Sequence, residues 1–243
     1  MFSNILIVGC GLIGSSILRG SLSKKISEEF NFFYMETGIY YRGFASLFYK
    51  KQANILDLSS FISNLTVTSF KEYITHNNKI LYSTKVTKLA SNLAKNKEIR
   101  AFIVKMQQDM IINLGKKFNG IILEGRDCGS VVAPKADLKF YLTASLKVRA
   151  ERRLKQFVKE KKDISYEQVL SDLRERDVQD KNREHSPLQK PKGAVVIDNS
   201  NYNFEETINI VKNIIQLHKG TIAASNRLNT KGAQVEVLLP KLS

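Results

Sequence analysis

The sequence predicts an α/β fold in which a five-stranded parallel sheet is covered by helices on both faces. Short apolar runs alternate with longer segments of helical periodicity along most of the 243 residues, as is typical of βαβ units. Hydrophobic residues make up 43% of the chain, which is enough to build the core that such a sheet needs. The predicted strands are Ile5–Val8, Phe32–Met35, Ile121–Leu123, Leu138–Leu142 and Ala194–Ile197.

Helical patterns fill most of the remaining chain. One long helix is predicted from Lys88 to Lys116, a second from Leu146 to Val158, and a third from Tyr166 to about Arg183. Between Ile55 and Ser83 polar and apolar residues alternate instead, and this stretch is predicted to form a few short antiparallel strands in a side lobe. Small or polar residues follow each predicted strand, and open α/β sheets bind ligands at those carboxyl ends.

The composition narrows the choice of partners. The net charge is +15, yet no nucleic-acid-binding motif or interleaved aromatic platform accompanies the lysines, so nucleic acid is not expected as a partner. No apolar run approaches the roughly 20 residues that span a bilayer, and the first one has no basic flank, so neither a membrane span nor a signal peptide is expected. Cys10 and Cys128 fit two free thiols in the cytoplasm, and no metal site is predicted.

The segment LRERDVQDKNR carries the most specific charge pattern. Arg176, Asp180 and Arg183 are separated by four and three residues, which places them on one helical face. Two guanidinium groups with a carboxylate between them suit a phosphate and the hydroxyls of a ribose. The alternative is an exposed helix that carries internal ion pairs.

Three further segments bring charge to strand ends or to one helical face. ILEGRDCGSVV places Arg126 and Asp127 after a buried strand, although the two side chains could simply pair with each other. YMETGIYYRG places Thr37 and Arg42 after another strand, and KVRAERRLKQ places three arginines on one helical face. Together these segments predict a cationic site at one edge of the sheet.

These motifs, in this order and spacing, resemble the signatures of bacterial cytidylate kinases over about residues 34–216. The resemblance implies a three-layer, parallel-sheet P-loop NMP-kinase-like fold over residues 1–216, with a small NMP-binding lobe at about 55–85 and a lid at about 155–165. It also implies transfer of the γ-phosphate of ATP to CMP or dCMP, with Mg²⁺ bridging the ATP phosphates, in a protein expected to be monomeric.

The resemblance also implies roles for individual residues. It assigns recognition of the cytosine ring to Ser91, Arg100 and Asp127. It assigns the ribose to Arg176 and Asp180. The residues implied to grip or line the CMP phosphate are Thr37, Arg42, Arg126 and Arg183. Those implied to stabilise the transferred phosphoryl group are Arg126, Arg183, Arg149, Arg152 and Arg153.

The N-terminus departs from that family. A P-loop ends in Gly-Lys-Ser/Thr, and the sequence contains neither GKS nor GKT. NILIVGCGLIG instead resembles the GxGxxG opening of prephenate dehydrogenase. The candidate phosphate-loop residues are Gly9, Gly11, Gly14, Ser15, Ser16, Arg19, Gly20 and Ser21. Two alternatives to the kinase follow: a CMP-binding body with impaired catalysis, and an oxidoreductase that binds NAD(P) through Gly9, Gly11 and Gly14.

The C-terminal residues 217–243 form an extension beyond the kinase pattern. HKGTIAASNRLNTKGAQVEVLLPKLS resembles the last strands of a sensor histidine kinase ATP-binding domain. The chain therefore reads as a kinase body with foreign ends, a fusion of natural or other origin. Preference among CMP, dCMP and UMP stays open at this point.

Overall fold

The protein is described by a computed structural model that covers residues 5–12, 16–125, 127–182 and 188–218, with the backbone alone given for residues 5–12, 16–21 and 179. This part of the chain contains five strands: β1 (Ile5–Leu12), β2 (Phe33–Glu36), β3 (Gly120–Glu124), β4 (Leu138–Thr143) and β5 (Val195–Asp198). They form one parallel sheet in the order β2-β3-β1-β4-β5. The predicted parallel α/β sheet is thereby confirmed, and apart from β1 the strand ends lie within one residue of the predicted ones.

Helices cover both faces of the sheet. On β3, Ile121 and Leu123 face one apolar cluster while Ile122 faces the other, so the two-residue period of the strand buries both faces. The helices are α1 (Ser16–Phe30), α2 (Gly38–Lys50), α3 (Leu58–Ser63), α4 (Val67–His76), α5 (Asn78–Leu81), α6 (Thr84–Leu93), α7 (Lys97–Gly115), α8 (Leu146–Lys159), α9 (Tyr166–Lys181) and α10 (Phe204–His218). One face of the sheet packs against α1 and α10, and the other against α2 and α7. This is the predicted three-layer arrangement.

The central strand β1 is longer than predicted. It was expected to end at Val8, but it pairs with β3 as far as Gly9 and with β4 as far as Leu12. Gly9 and Gly11 therefore lie in the strand, which corrects their placement in a phosphate loop. A strand with a parallel neighbour on each side gains ladder hydrogen bonds on both edges, and this outweighs the poor strand propensity of glycine.

The side lobe is helical, so the prediction of antiparallel strands between Ile55 and Ser83 is wrong. A 3₁₀ turn (Ile55–Asp57) and the helices α3, α4 and α5 occupy this stretch. The side chains of Asn54, Thr66 and Ser83 each accept a hydrogen bond from a backbone N–H in the first turn of the helix that follows. Phe70 and Ile74, one helical turn apart, are buried in the core. Helix capping and the buried pair of Phe70 and Ile74 therefore favour helices in this stretch, although its polar and apolar residues alternate.

The long helix predicted over Lys88–Lys116 is divided in two. The carboxamide oxygen of Asn96 accepts hydrogen bonds from the N–H groups of Glu98 and Ile99, at 2.9 and 3.1 Å, and so begins α7. The helices predicted from Leu146 and Tyr166 are confirmed as α8 and α9. Among the described residues, no helix combines the length and apolar character that crossing a membrane requires.

Candidate active site

Thr37 joins the carboxyl ends of β2 and β3. Its N–H and its hydroxyl both donate to the carbonyl oxygen of Glu124, at 2.8 and 2.9 Å. The buried Gln107 donates from Nε2 to the carbonyl oxygen of Thr37 at 3.0 Å. Thr37 is 3% exposed, so its hydroxyl holds two strand ends together at the edge where a ligand is expected.

Arg42 lies beside that edge in a group of three side chains. Its Nη1 donates to Oε1 of Glu36 at 2.9 Å, and its guanidinium group lies 4.7 Å from the ring centroid of Tyr82. The hydroxyl of Tyr82 donates to Oε2 of the same Glu36 at 2.6 Å. Burial, followed by the hydrogen bond to Glu36, raises the pKa of Tyr82. The phenol therefore remains a donor at neutral pH.

A second tyrosine donates to the acidic end of β3. The hydroxyl of Tyr34 donates to Oε2 of Glu124 at 2.6 Å, and Glu36 lies opposite Glu124 in the strand register. Burial is the main cause that raises the pKa of Tyr34, and the Glu124 carboxylate adds to it. The carboxyl edge therefore holds two acidic side chains, each hydrogen-bonded by a phenol that keeps its proton.

Arg100 and Asp127 form a second ion pair at this edge. Nη2 of Arg100 donates to Oδ2 of Asp127, with both side chains 12% exposed, and the guanidinium group lies 5.7 Å from the ring centroid of Tyr41. The backbone of Asp127 begins a π-helical turn, Cys128–Val132. Ser91 lies on α6 and is exposed. The structure therefore brings together Arg100 and Asp127, two residues implied to recognise cytosine.

The residues implied to hold the ribose lie on α9. Arg176 is exposed, while Asp180, one turn later, is 1% exposed and its carbonyl oxygen accepts from the N–H of Leu188 at 2.7 Å. Arg126 and Arg183 lie outside the described residues, as do Gly14 and Ser15. The helix prediction for this segment is confirmed, and the roles of its residues remain predictions.

The three arginines of α8 make contacts within the protein. Arg149 donates to both carboxylate oxygens of Asp177 on α9, at 2.9 and 2.6 Å. Arg152 donates to the backbone carbonyl oxygens of Asn199 and Tyr202, at 2.8 and 2.9 Å. Arg153 lies 4.4 Å from the ring centroid of Phe157, and burial lowers the pKa of both Arg152 and Arg153.

The other candidates of the phosphate loop lie on α1. This helix begins at Ser16 and includes Arg19, Gly20 and Ser21, and three residues separate it from the end of β1. A helix N-terminus at the carboxyl edge of a parallel sheet is a favourable place for phosphate. Among the described residues, no group of three or more His, Cys, Asp or Glu side chains could hold a metal ion.

Sequence reasoning gave no site role to Gln107 and Tyr82, which organise this edge, or to Asp177, which binds Arg149 of α8. Asp177 lies inside the motif LRERDVQDKNR, and its spacing from Arg176 and Asp180 could have suggested a role. Gln107 and Tyr82 are far from the strand ends in sequence, and no local pattern connects them with Thr37 or Glu36.

Fold and site together define an α/β protein of the nucleotide kinase class, with arginine–carboxylate pairs at the carboxyl edge of a parallel sheet. The profile of the cytidylate kinase family matches residues 14–217. A cytidylate kinase from Clostridium botulinum is 34% identical over 205 residues, which cover 82% of this chain and 92% of the relative. One from Fusobacterium nucleatum is 33% identical over 223 residues, covering 88% and 98%. The chain belongs to the cytidylate kinase family.

A solved structure supports the same fold. An uncharacterized protein from Eubacterium ventriosum matches with a TM-score of 0.50 at 9% identity, covering 88% of this chain and 99% of its own. Membership of the family confirms the expected phosphotransferase class and does not favour the NAD(P)-dependent oxidoreductase. The family match begins at Gly14, so Gly9 and Gly11 precede it.

Proposed function

We propose that this protein transfers the γ-phosphate of ATP to CMP or dCMP and releases ADP and the nucleoside diphosphate. The observation that carries the proposal is the convergence of Arg42, Arg100 and Asp127 at the carboxyl edge of the sheet, each in contact with an oppositely charged partner. Phosphoryl transfer depends mainly on positioning and on charge stabilisation, which arginines supply without losing a proton.

The Arg100–Asp127 pair suits a cytosine ring. Cytosine offers an exocyclic amine as donor beside the acceptors N3 and O2, so a carboxylate next to a guanidinium group complements it. Uracil carries a carbonyl oxygen in place of the amine, and that oxygen would face the carboxylate of Asp127. We therefore expect CMP and dCMP to bind more tightly than UMP.

The phosphate of CMP is placed beside Arg42, with Arg126 and Arg183 completing its site as the family resemblance implies. An oxygen of that phosphate attacks the γ-phosphorus of ATP, the bond from the γ-phosphorus to the β,γ-bridging oxygen breaks, and ADP leaves. No general base is needed, because the CMP phosphate is already ionised at neutral pH.

ATP is placed with its phosphates at the start of α1, and Mg²⁺ enters as part of the MgATP co-substrate. Magnesium is usually bound through one or two carboxylates together with substrate phosphates, and both oxygens of Glu36, the carboxylate at the end of β2, already accept from Arg42 and Tyr82, so the phosphates of ATP are expected to be its main ligands. In bound MgATP the ion neutralises charge on the phosphates. A monomer in the cytoplasm is the form expected for this activity.

The test is CMP-dependent release of ADP from ATP by the purified protein, with Asp180→Ala as a control for contaminating kinase. We expect turnover in the wild type and its loss in the variant, because a buried carboxylate in the implied ribose site is removed. Turnover that persists unchanged in Asp180→Ala would show that the measured activity does not depend on this site and would contradict the proposal.

The lack of a Gly-Lys-Ser/Thr sequence favours one second candidate, a CMP-binding protein that does not turn over. Direct titration with CMP separates the two. CMP binding without ADP release would select the binding protein, whereas failure of the wild type to bind CMP would overturn both.

A further inference from the structure

Tyr82 is held at a fixed point of the helical lobe, in the short turn between α5 and α6. The residue before it, Leu81, is fully buried, and the residue after it, Ser83, accepts a hydrogen bond from the N–H of Val86 and so caps α6. The N–H of Ser83 also donates to the carbonyl oxygen of Ile80 at 3.1 Å. Both sides of the turn are anchored, although the Tyr82 side chain itself is about half exposed.

From this turn the phenol reaches across 46 positions of sequence to the end of β2. Tyr82, Glu36 and Arg42 form a closed triangle in which each side chain contacts the other two. Tyr82 donates to Oε2 of Glu36, Arg42 donates to Oε1, and the guanidinium group lies over the phenol ring. The two oxygens of Glu36 are thereby divided between the two donors.

This geometry fixes the direction in which Arg42 points. A guanidinium group contacts an aromatic ring through its face and donates hydrogen bonds along its edge. The guanidinium group of Arg42 lies over the ring of Tyr82 and donates from Nη1 to Glu36, which leaves its remaining N–H groups for a ligand. An arginine held in this way loses less rotamer entropy when a phosphate binds.

We propose that Tyr82 is a positioning residue that holds the guanidinium group of Arg42 in the orientation that binds the phosphate of the nucleoside monophosphate. The inference rests on the proposed function, because it takes CMP as the ligand of Arg42. In this role Tyr82 acts through its contacts with Arg42 and Glu36, and not through the base or the ribose. Its effect is therefore specific to the phosphate of the ligand.

The experiment compares CMP with cytidine, which lacks the phosphate, as ligands of the wild type and Tyr82→Leu in direct titrations. We expect the Kd of CMP to rise about three- to tenfold in Tyr82→Leu, the range that a cation–π contact of ordinary strength supports, with the Kd of cytidine unchanged. Tyr82→Phe keeps the ring and should recover most of the affinity for CMP.

The matched control is Tyr49→Leu. Tyr49 is also a partly exposed tyrosine beneath a cation, with Nζ of Lys85 4.0 Å from its ring centroid, and its contact with Lys85 is separate from the Glu36–Arg42–Tyr82 triangle. Tyr49→Leu removes this contact and should leave the Kd of CMP unchanged. In an Arg42→Ala background, Tyr82→Leu should have no further effect, because its influence passes through that guanidinium group.

Equal weakening of CMP and cytidine in Tyr82→Leu would assign Tyr82 a structural role in the lobe and overturn the inference. The inference would also be overturned if Tyr82→Leu raised the Kd of CMP in the Arg42→Ala background as much as it does in the wild type. Unchanged affinity for CMP in a folded Tyr82→Leu protein would overturn it too. Equal Kd values of the wild type for CMP and cytidine would show that Arg42 does not bind the phosphate and would overturn the inference, whereas a wild type that bound no CMP would overturn the proposed function itself. The titration of the wild type therefore distinguishes the two failures.

Discussion

The arginines at the carboxyl edge of the sheet and those of α8 occur in equally specific motifs, yet the structure uses them differently. Arg42 donates to a carboxylate from one terminal nitrogen and its side chain is 20% exposed. Arg149 is bound through both terminal nitrogens to Asp177, donates from Nε to the carbonyl oxygen of Ala144, and has a side chain 6% exposed. The first arginine is accessible to a phosphate, whereas the second connects α8 to α9.

The contrast shows that the motif alone does not decide what an arginine does. A guanidinium group has five N–H donors, and the carboxylates and carbonyl oxygens that fold beside it determine how many are left for a ligand. Arg152, whose partners are the carbonyl oxygens of Asn199 and Tyr202, resembles Arg149 in this respect. We therefore expect substitutions near α8 to act mainly on stability, and substitutions at the sheet edge to act mainly on binding.

The largest effect is expected at the Arg149–Asp177 pair. Asp177→Asn keeps the shape of the side chain but leaves Arg149 buried without its counter-charge, so the free energy of unfolding should fall by about 3–5 kcal/mol. Urea unfolding followed by circular dichroism measures it. The matched control is Asp109→Asn, which breaks an exposed pair with Lys105 and should cost under about 0.5 kcal/mol. Similar losses in the two variants would show that the Arg149–Asp177 pair contributes no more to stability than an exposed ion pair does.

A smaller effect is expected at Gly125, next to Thr37. A Cβ at this position would lie 2.0 Å from Oγ1 of Thr37 and 2.7 Å from Sγ of Cys128, so Gly125→Ala forces the strand ends apart. We expect a loss of about 1–3 kcal/mol in unfolding free energy, together with weaker binding of CMP in titrations.

The control for this substitution is Gly38→Ala in the first turn of α2, where the nearest atom to a new Cβ is Oε1 of Glu36 at 3.9 Å. Alanine is the better helix former, so this variant should be neutral or more stable. A Gly125→Ala protein as stable as Gly38→Ala, with unchanged affinity for CMP, would show that the contact at Thr37 does not shape the site.

Much of the fold could be predicted because the strands are short apolar runs that end at polar residues. The limits of β1 could not, since the pairing that carries the strand through Gly9 and Gly11 comes from β3 and β4, which are distant in sequence. The side lobe was mistaken for strands because caps such as Thr66 and buried pairs such as Phe70 and Ile74 are local signals that the alternating pattern hid.

The candidate site also contains features that the sequence predicts and features that it does not. The charges at the strand ends, such as Arg42 and Asp127, were predictable because a parallel sheet brings its carboxyl ends to one edge. The side chains that orient them were not, because Tyr82, in the turn between α5 and α6, and Gln107, on α7, reach that edge only through tertiary packing. Sequence therefore indicates which charged groups lie at the edge of the sheet more readily than which side chains hold them there.

The last effect is expected only at alkaline pH, and it arises from a tyrosine of α2 next to the sheet edge. Burial raises the pKa of Tyr40 to about 12, above its usual value of about 10. The unfolded chain therefore loses this proton first, so the stabilising contribution is complete below pH 10 and is lost as the pH rises toward 12. Between pH 10 and 12 the free energy of unfolding therefore falls by about 1.4 kcal/mol per pH unit.

Tyr40→Phe cannot ionise, so its stability should fall less steeply than that of the wild type between pH 10 and 12, and urea unfolding at several pH values measures the difference. Tyr49→Phe is the control, because the hydrogen bond from Lys85 lowers the pKa of Tyr49 and its loss should not flatten the alkaline decline. The stability of Tyr40→Phe should still decline at alkaline pH, because burial also raises the pKa of Tyr34. Parallel curves for the wild type and Tyr40→Phe would show that Tyr40 is exposed to water in solution and that the core beside the sheet edge is less closed than described.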